Sequence, residues 1–298
     1  MSFTQEEIAT QPECWLRAAE AAAGAGAGPG GGAVLPSPGE EVAVVGCGTS
    51  WFMARSYAVL REAAGHGRTD AFAASQFPSG RRYDRIVALT RSGTTTEVID
   101  LLTAAQGTTP TTVITADAGT PAARAADQVL SLPFADERSV VQTRFATTAL
   151  ALFRAHLGED LVPVAEDARR ALAEPLDPRW GGAEQFTFLG SGWTAGLADE
   201  AALKMREAAG AWTESYLAME YRHGPISIAA PGRVVWFLGP PPARLPEDIA
   251  RTGAVLVASE RDPLAELVLA TRVAVARAEA AGLDPDRPRN LTRSVVLA

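Results

Sequence analysis

Val42-Ala43-Val44-Val45 ends at Gly46-Cys47-Gly48-Thr49-Ser50, after which apolar residues return at helical spacing through Ala54, Tyr57, Ala58 and Leu60. A short apolar run closed by a glycine turn and followed by a 3.6-residue period predicts a strand, a tight turn and a helix. The order recurs at Ile86-Val-Ala-Leu-Thr90, the turn Arg91-Ser92-Gly93-Thr94-Thr95 and the helical stretch from Glu97 to Ala105, and it restarts at Thr112-Val-Ile-Thr115. Strands alternating with helices predict a parallel sheet covered on both faces. Phe186-Thr-Phe-Leu-Gly190-Ser-Gly192 and the helix after it can be laid on the first unit at an offset of 144 residues, 186 against 42. Two similar half-chains explain that most simply. Val234-Val-Trp-Phe-Leu238 and Ala254-Val-Leu-Val-Ala258 then supply later strands of the second half. The fold class is α/β: two doubly wound, flavodoxin-like three-layer halves related by internal duplication.

Outward from this core, residues 5 to 23 predict one amphipathic helix, and the glycine- and proline-rich stretch Gly24 to Gly39 predicts a flexible connector. The expected organisation is residues 1–40 as helix and connector, 41–160 as the first half and 161–298 as the second. With 298 residues, 47% of them hydrophobic, the chain can bury a full core. A net charge of −8 gives no basic field for nucleic acid, so an anionic ligand must be held by local donors. The two cysteines, Cys14 and Cys47, have no spacing that supports a disulfide framework or a zinc site, and no metal or cofactor is expected. The start of the chain is acidic, with no apolar targeting segment, and no apolar run reaches the ~18 residues of a membrane span, which together predict a cytoplasmic protein.

Both glycine turns end a predicted strand and open a helix, so backbone N–H groups and the hydroxyls of Thr49, Ser50, Thr90, Ser92, Thr94 and Thr95 can converge on an anion. The competing possibility is that these residues only cap their helices. Two such turns at one sheet edge favour ligand binding, because ligands of open α/β sheets gather there. A dinucleotide fingerprint at Gly46 fails, since Trp51 stands where the third glycine is needed. The second half has no matching hydroxyl-rich turn after Leu238, where Gly239-Pro-Pro-Pro242 follows, so only the first is expected to hold an anion.

Of the 27 lysine and arginine residues only Lys204 is a lysine, which suggests a position needing a compact amine with a tunable pKa. It lies in Glu200-Ala-Ala-Leu-Lys204-Met-Arg-Glu207, where helical spacing puts Glu200, Lys204 and Glu207 on one face. Glu207 could shuttle a proton between neighbouring sugar carbons while Lys204 stabilises the oxyanion that develops. The bland alternative is an ordinary surface ion pair between Glu200 and Lys204. His223, in Tyr221-Arg-His223-Gly-Pro225, is expected in a turn, available for ring opening; alone, such a histidine is more often structural. His66 and His156 are expected to be unremarkable surface residues near helix ends.

Taken together and in this order, Glu200 to Glu207, Arg222-His223-Gly224-Pro225 and the Gly46 and Ser92 turns resemble the sugar isomerase (SIS) family, and within it the isomerase half of glucosamine-6-phosphate synthases. Glu7-Ile-Ala-Thr-Gln11-Pro12, the stretch Glu137 to Thr143 and Pro288-Arg-Asn-Leu291 extend the likeness over nearly the whole chain. The resemblance implies a sugar 6-phosphate held by Ser50, Thr90, Ser92 and Thr95, with Thr49, Arg91, Thr94 and Gln142 nearby. It implies Glu207 as the carboxylate moving a proton between C1 and C2, Lys204 as its companion and His223 as the ring-opening histidine. In such proteins that histidine comes from a neighbouring subunit, so a homodimer is expected.

Two departures from the pattern matter. The chain starts directly at the isomerase half, so it is not expected to draw ammonia from glutamine unaided. Arg293 stands where the family has a lysine able to form an imine; arginine stays protonated and is expected instead to clamp phosphate or a substrate hydroxyl. The expectation is an aldose–ketose isomerase for a hexose or amino-hexose 6-phosphate. The alternatives are an amino-sugar-phosphate deaminase or fructosamine-type deglycase, or a non-catalytic sugar-phosphate-binding regulatory protein.

Overall fold

The computed structural model describes residues 2–25 and 33–297, so the part of the expected connector between them lies outside the described residues. In chain order the elements are α1 (Phe3–Ala9), α2 (Gln11–Gly24), β1 (Val42–Gly46), α3 (Thr49–Ala63), β2 (Thr69–Ala73), β3 (Arg85–Leu89), α4 (Thr96–Ala105), β4 (Thr111–Thr115), α5 (Pro121–Ala125), β5 (Gln128–Ser131) and α6 (Arg144–His156). They continue as α7 (Val162–Ala173), α8 (Pro178–Gly181), β6 (Gln185–Gly190), α9 (Thr194–Ala209), β7 (Thr213–Leu217), β8 (Arg233–Leu238), α10 (Leu245–Ala250), β9 (Val255–Val257) and α11 (Pro263–Ala280). Among the described residues no helix is long and apolar enough to cross a membrane.

The chain divides into two compact units. One comprises residues 13–137, 142–162 and 292–298; the other comprises 1–12, 138–141 and 163–291. The first holds a five-stranded sheet in the order β2-β1-β3-β4-β5 and the second a four-stranded sheet in the order β7-β6-β8-β9. Every pairing is parallel, from Val42 opposite Thr69 and Arg85 to Val234 opposite Val255. The shared strand order carries the α/β architecture that the alternating pattern predicts. β1, β3, β4 and β6 are buried along their whole length, as strands covered on both faces must be.

Glycine fixes how closely each first helix approaches its strand. A Cβ on Gly46 would lie 2.7 Å from the Ser50 carbonyl carbon, and one on Gly190 only 2.3 Å from the Thr194 carbonyl oxygen. Both contacts are with backbone, so neither can yield cheaply. In the first unit β1 leads through α3 to β2 on one side, whereas β3 leads through α4 to β4 on the other; α3 packs on α6 and α4 on α5. The carboxyl ends of the adjacent strands β1 and β3 therefore meet at the point where the winding reverses, which is where such sheets open a crevice.

The N-terminal segment differs from the single helix expected over 5 to 23. Thr10 ends α1, its hydroxyl turning back to the Glu6 and Glu7 carbonyls, and Pro12 sits in the first turn of α2, where a missing N–H is tolerated. α1 is tied down at its start by Asp286, whose carboxylate accepts from Phe3 N (2.9 Å), Thr4 N (2.7 Å) and Thr4 Oγ1 (2.6 Å). The described end of the connector is ordered as well. Arg85 donates to the Ala33 carbonyl, Thr112 to Val34 and Arg61 to Ser37, and Leu35 is buried. His156 belongs to this anchorage, with Nε2 3.0 Å from the Pro36 carbonyl, rather than being an idle surface residue.

Candidate functional site

The first unit presents both glycine turns at the crevice between β1 and β3. Gly48, at φ +53°, precedes α3 and lets Thr49 and Ser50 enter its first turn, where both are buried. No side chain caps α3 or α4: the residue before α3 is a glycine, and Thr95 precedes α4 without a capping bond. The helix-capping explanation of these hydroxyls is thereby removed. Within the second turn, Thr90 Oγ1 accepts from Gly93 N and Ser92 Oγ accepts from Thr94 N, each at 3.2 Å. Gly93 adopts φ +62°, and a Cβ there would collide with the Thr120 side chain, so the turn is shaped by packing as well as by its own hydroxyls.

The C-terminal residues run across this turn. Thr94 Oγ1 donates to Ser294 Oγ at 2.9 Å, Thr96 N donates to the Val295 carbonyl at 3.2 Å, and Leu297 N donates to Thr96 Oγ1 at 2.9 Å. Arg91 is buried, 3.5 Å from Glu137 across an ion pair, and donates to the Arg293 carbonyl at 2.9 Å. Arg293 itself pairs with Asp136 at 2.5 Å and donates to the Glu137 carbonyl. Both arginines thus hold the tail and the wall of the turn together. Gln142, just before α6, has a buried Nε2 with no hydrogen-bond partner among the described residues, a donor of the kind a ligand oxygen would satisfy.

In the second unit α9 carries the other candidates. Lys204 is 1% exposed and Glu200 2%, which excludes the ordinary surface pair of the bland alternative. The ammonium lies 3.5 Å from Glu200 Oε1 and in direct contact with Glu207 Oε2. Burying an ammonium requires such partners, and breaking a buried pair leaves an uncompensated charge. Glu207 is less enclosed, its side chain 18% exposed, and it lines a cleft of about 280 Å³ with Arg206, Gly210, Arg287, Arg289 and Asn290 among its walls. Lys204 is held by two carboxylates, while Glu207 keeps one side toward open space.

His223 does not join them within this unit. α9 begins just after β6 and ends at Gly210, before β7 starts, so Glu207 stands at the amino end of the sheet. His223 is exposed in the short 3₁₀ turn Glu220–His223, beyond the carboxyl end of β7. Five residues of β7 separate those edges by over 10 Å at about 3.3 Å per residue. The cleft arginines were absent from the candidates read from the sequence, although Arg206 lies in the stretch Glu200 to Glu207 and Arg289 in Pro288-Arg-Asn-Leu291, both of which carried the resemblance. Composition alone reads Asp284-Pro-Asp-Arg287-Pro-Arg289-Asn290 as a solvated charged run.

Both cysteines are free, and burial pushes both thiols up from their ordinary values, Cys47 further under the influence of Glu97. Neither offers a thiolate nucleophile near neutral pH. No cluster of three metal-ligating side chains exists among the described residues.

No established family profile matches the chain. It is 28% identical to the isomerizing glutamine–fructose-6-phosphate aminotransferase of Methanothermobacter thermautotrophicus over 87% of this chain and 52% of that protein. The chain thus spans about half the length of that curated relative. It superposes with a TM-score of 0.81 on a glucosamine-6-phosphate deaminase from Thermotoga maritima, at 24% identity, covering 99% of this chain and 100% of the other. With a TM-score of 0.80 it also matches the C-terminal domain of glucosamine-fructose-6-phosphate aminotransferase from Francisella tularensis, at 19% identity and covering 97% and 98%. The likeness read from the motifs is borne out: the chain is a homologue of these aminotransferases over most of its length and has the paired parallel-sheet fold of their C-terminal domain.

Proposed function

We propose that the chain interconverts an aldose and a ketose carrying a 6-phosphate, with Glu207 moving the proton between C1 and C2. The observation that carries this is the partly open carboxylate of Glu207, backed by a buried ammonium and facing a cleft. A general base needs a fixed position and an open approach, and Glu207 has both. A protein that only bound sugar phosphate would gain nothing from burying a Glu200–Lys204–Glu207 cluster, given what burial of charge costs. The phosphate is assigned to the hydroxyls of Thr49, Ser50, Thr90, Ser92, Thr94 and Thr95, with Gln142 as a further donor. Their freedom from helix capping supports that assignment. Arg91 and Arg293 act as the frame of this turn, through Glu137 and Asp136.

His223 is assigned to ring opening in a site completed by a second copy of the chain. Its distance from Glu207 along β7 supports this, as do Leu217 and Met219, half-exposed apolar side chains flanking the same turn. Exchange of solvent deuterium into C1 of fructose 6-phosphate, and into C2 of glucosamine 6-phosphate and related aldohexose 6-phosphates, tests the proton transfer. Uptake by the protein and none by Glu207→Gln is the expected result; no uptake with any of them would sink the proposal. Release of ammonia from an amino sugar would add deamination to the same proton transfer, the chemistry named for the Thermotoga maritima protein.

A further inference from the structure

We infer that Arg289, and not Lys204, is the group that meets the oxyanion formed when Glu207 removes the substrate proton; the inference rests on the isomerase proposal above. Lys204 is 1% exposed and its ammonium is bracketed by Glu200 at 3.5 Å and by Glu207. At 1% exposure the ammonium has no open approach for a substrate oxygen, and turning outward to meet one would break a buried ion pair, which is strongly unfavourable. Its role is to fix Glu207 in place.

The cleft that Glu207 faces supplies three other cations, Arg206, Arg287 and Arg289. Arg206 is engaged by the edge of β7, donating through Nη1 to Thr213 Oγ1 at 3.0 Å and to the Thr213 carbonyl at 3.3 Å. Arg289 lies over the end of α9: a Cβ on Gly210 would stand 3.6 Å from its Nη2. Gly210 ends the helix at φ +59°, a left-handed conformation that glycine adopts without steric cost. Asn290, the next residue, is held at φ +64°, one of only two non-glycine residues with positive φ among those described. Asparagine adopts that left-handed region more readily than other side-chain-bearing residues, and here it turns the chain directly after Arg289. The result is a planar, permanently charged donor beside the proposed base, on an exposed segment that can reach the substrate.

The step balances without any further reactant. Glu207 takes the proton from C2 of the open-chain aldose. The C2–H electron pair becomes the C1=C2 bond, and the C1=O π pair moves to O1. Arg289 N–H groups hold the O1 oxyanion of this enediolate. The proton then returns to C1 as the O2–H bond gives up its proton to O1, and a ketone remains at C2. A donor aimed at developing negative charge is worth most in this position.

The test uses the full chain and the substrate that shows deuterium uptake, with Arg289→Ala, Arg289→Lys and Arg287→Ala compared with the parent. Arg289→Ala is expected to lower kcat for exchange about 100-fold, with KM moved far less. Free guanidinium at sub-denaturing concentration is expected to restore part of the rate to Arg289→Ala and none to Glu207→Gln. Unchanged kcat in Arg289→Ala overturns the inference while leaving the proposed reaction intact. So does a loss that guanidinium does not rescue and that comes with a lowered melting temperature, because Arg289 would then be a brace for the end of α9. Absence of exchange in the parent protein defeats the proposed function and this inference with it.

Discussion

Lys204 Nζ lies 3.5 Å from Glu200 Oε1, with both side chains at most 3% exposed. This pair lies one turn back from Glu207 on the same face of α9, and it sets the electrostatics on which the proposed base depends. Glu200→Ala leaves the ammonium in the interior with one carboxylate instead of two. A loss of about 3–5 kcal/mol in stability is expected from breaking a buried pair, read by urea unfolding. Lys204→Met with Glu200→Leu in the same chain should recover much of that stability while leaving deuterium exchange abolished.

Gly46 and Gly190 limit what the two strand-to-helix turns can accept. Gly46→Ala places a Cβ 2.7 Å from a backbone carbon of Ser50, so the turn must shift. We expect a destabilisation of about 1–3 kcal/mol, the usual range for overpacking, and a loss of hexose 6-phosphate binding by calorimetry. Gly190→Ala meets backbone even more closely and should destabilise at least as much, without a direct effect on phosphate.

The hydroxyl turns are tested by Ser92→Ala and Ser50→Ala. Each should weaken binding of hexose 6-phosphates about tenfold, equivalent to one hydrogen bond to a charged group, and leave the affinity for unphosphorylated hexoses unchanged. Equal losses for both ligand sets would count against phosphate as the group held there.

A site shared between copies makes a distinctive forecast. Glu207→Gln and His223→Ala should each be nearly inactive, yet a mixture unfolded and refolded together should recover roughly a quarter of parental activity. Half of randomly reassorted dimers are mixed, and each mixed dimer holds one intact site of two. No recovery, with both variants folded, would place His223 outside the neighbouring copy's site.

Asp286 gives the fold a predictable acid response. Burial pushes its carboxyl up, but hydrogen bonds from Thr4 and Phe3 outweigh this and hold it below the ordinary aspartate value. A depressed native pKa contributes stability that is complete above the unfolded value, about 3.9, and is lost as pH falls toward the native one. Thermal melting of Asp286→Asn should therefore lie below the parent at neutral pH, and the gap should narrow in acid.

Much of the architecture was readable in local pattern. Val42 to Val45 and Ile86 to Leu89 are apolar on both faces, and Phe186 to Leu189 is so except for Thr187, so they announce buried parallel strands whatever surrounds them. The glycine turns were legible for the same reason, because the backbone requirement is local. The single predicted helix over 5 to 23 failed at Thr10 and Pro12, where a hydroxyl and a missing N–H redirect the chain within a pattern of continuous amphipathicity.

Sequence alone determined which residue types recur at which spacing, and therefore the strand–turn–helix order and the shared face of Glu200, Lys204 and Glu207. Only tertiary structure decided that this face is turned inward, that Arg91 and Arg293 meet acids rather than open solvent, and that Arg289 arrives beside Glu207 from some eighty residues away, 289 against 207. Spacing along a helix fixes direction around its axis, but whether a charge faces water or carboxylate depends on what the distant chain packs against it.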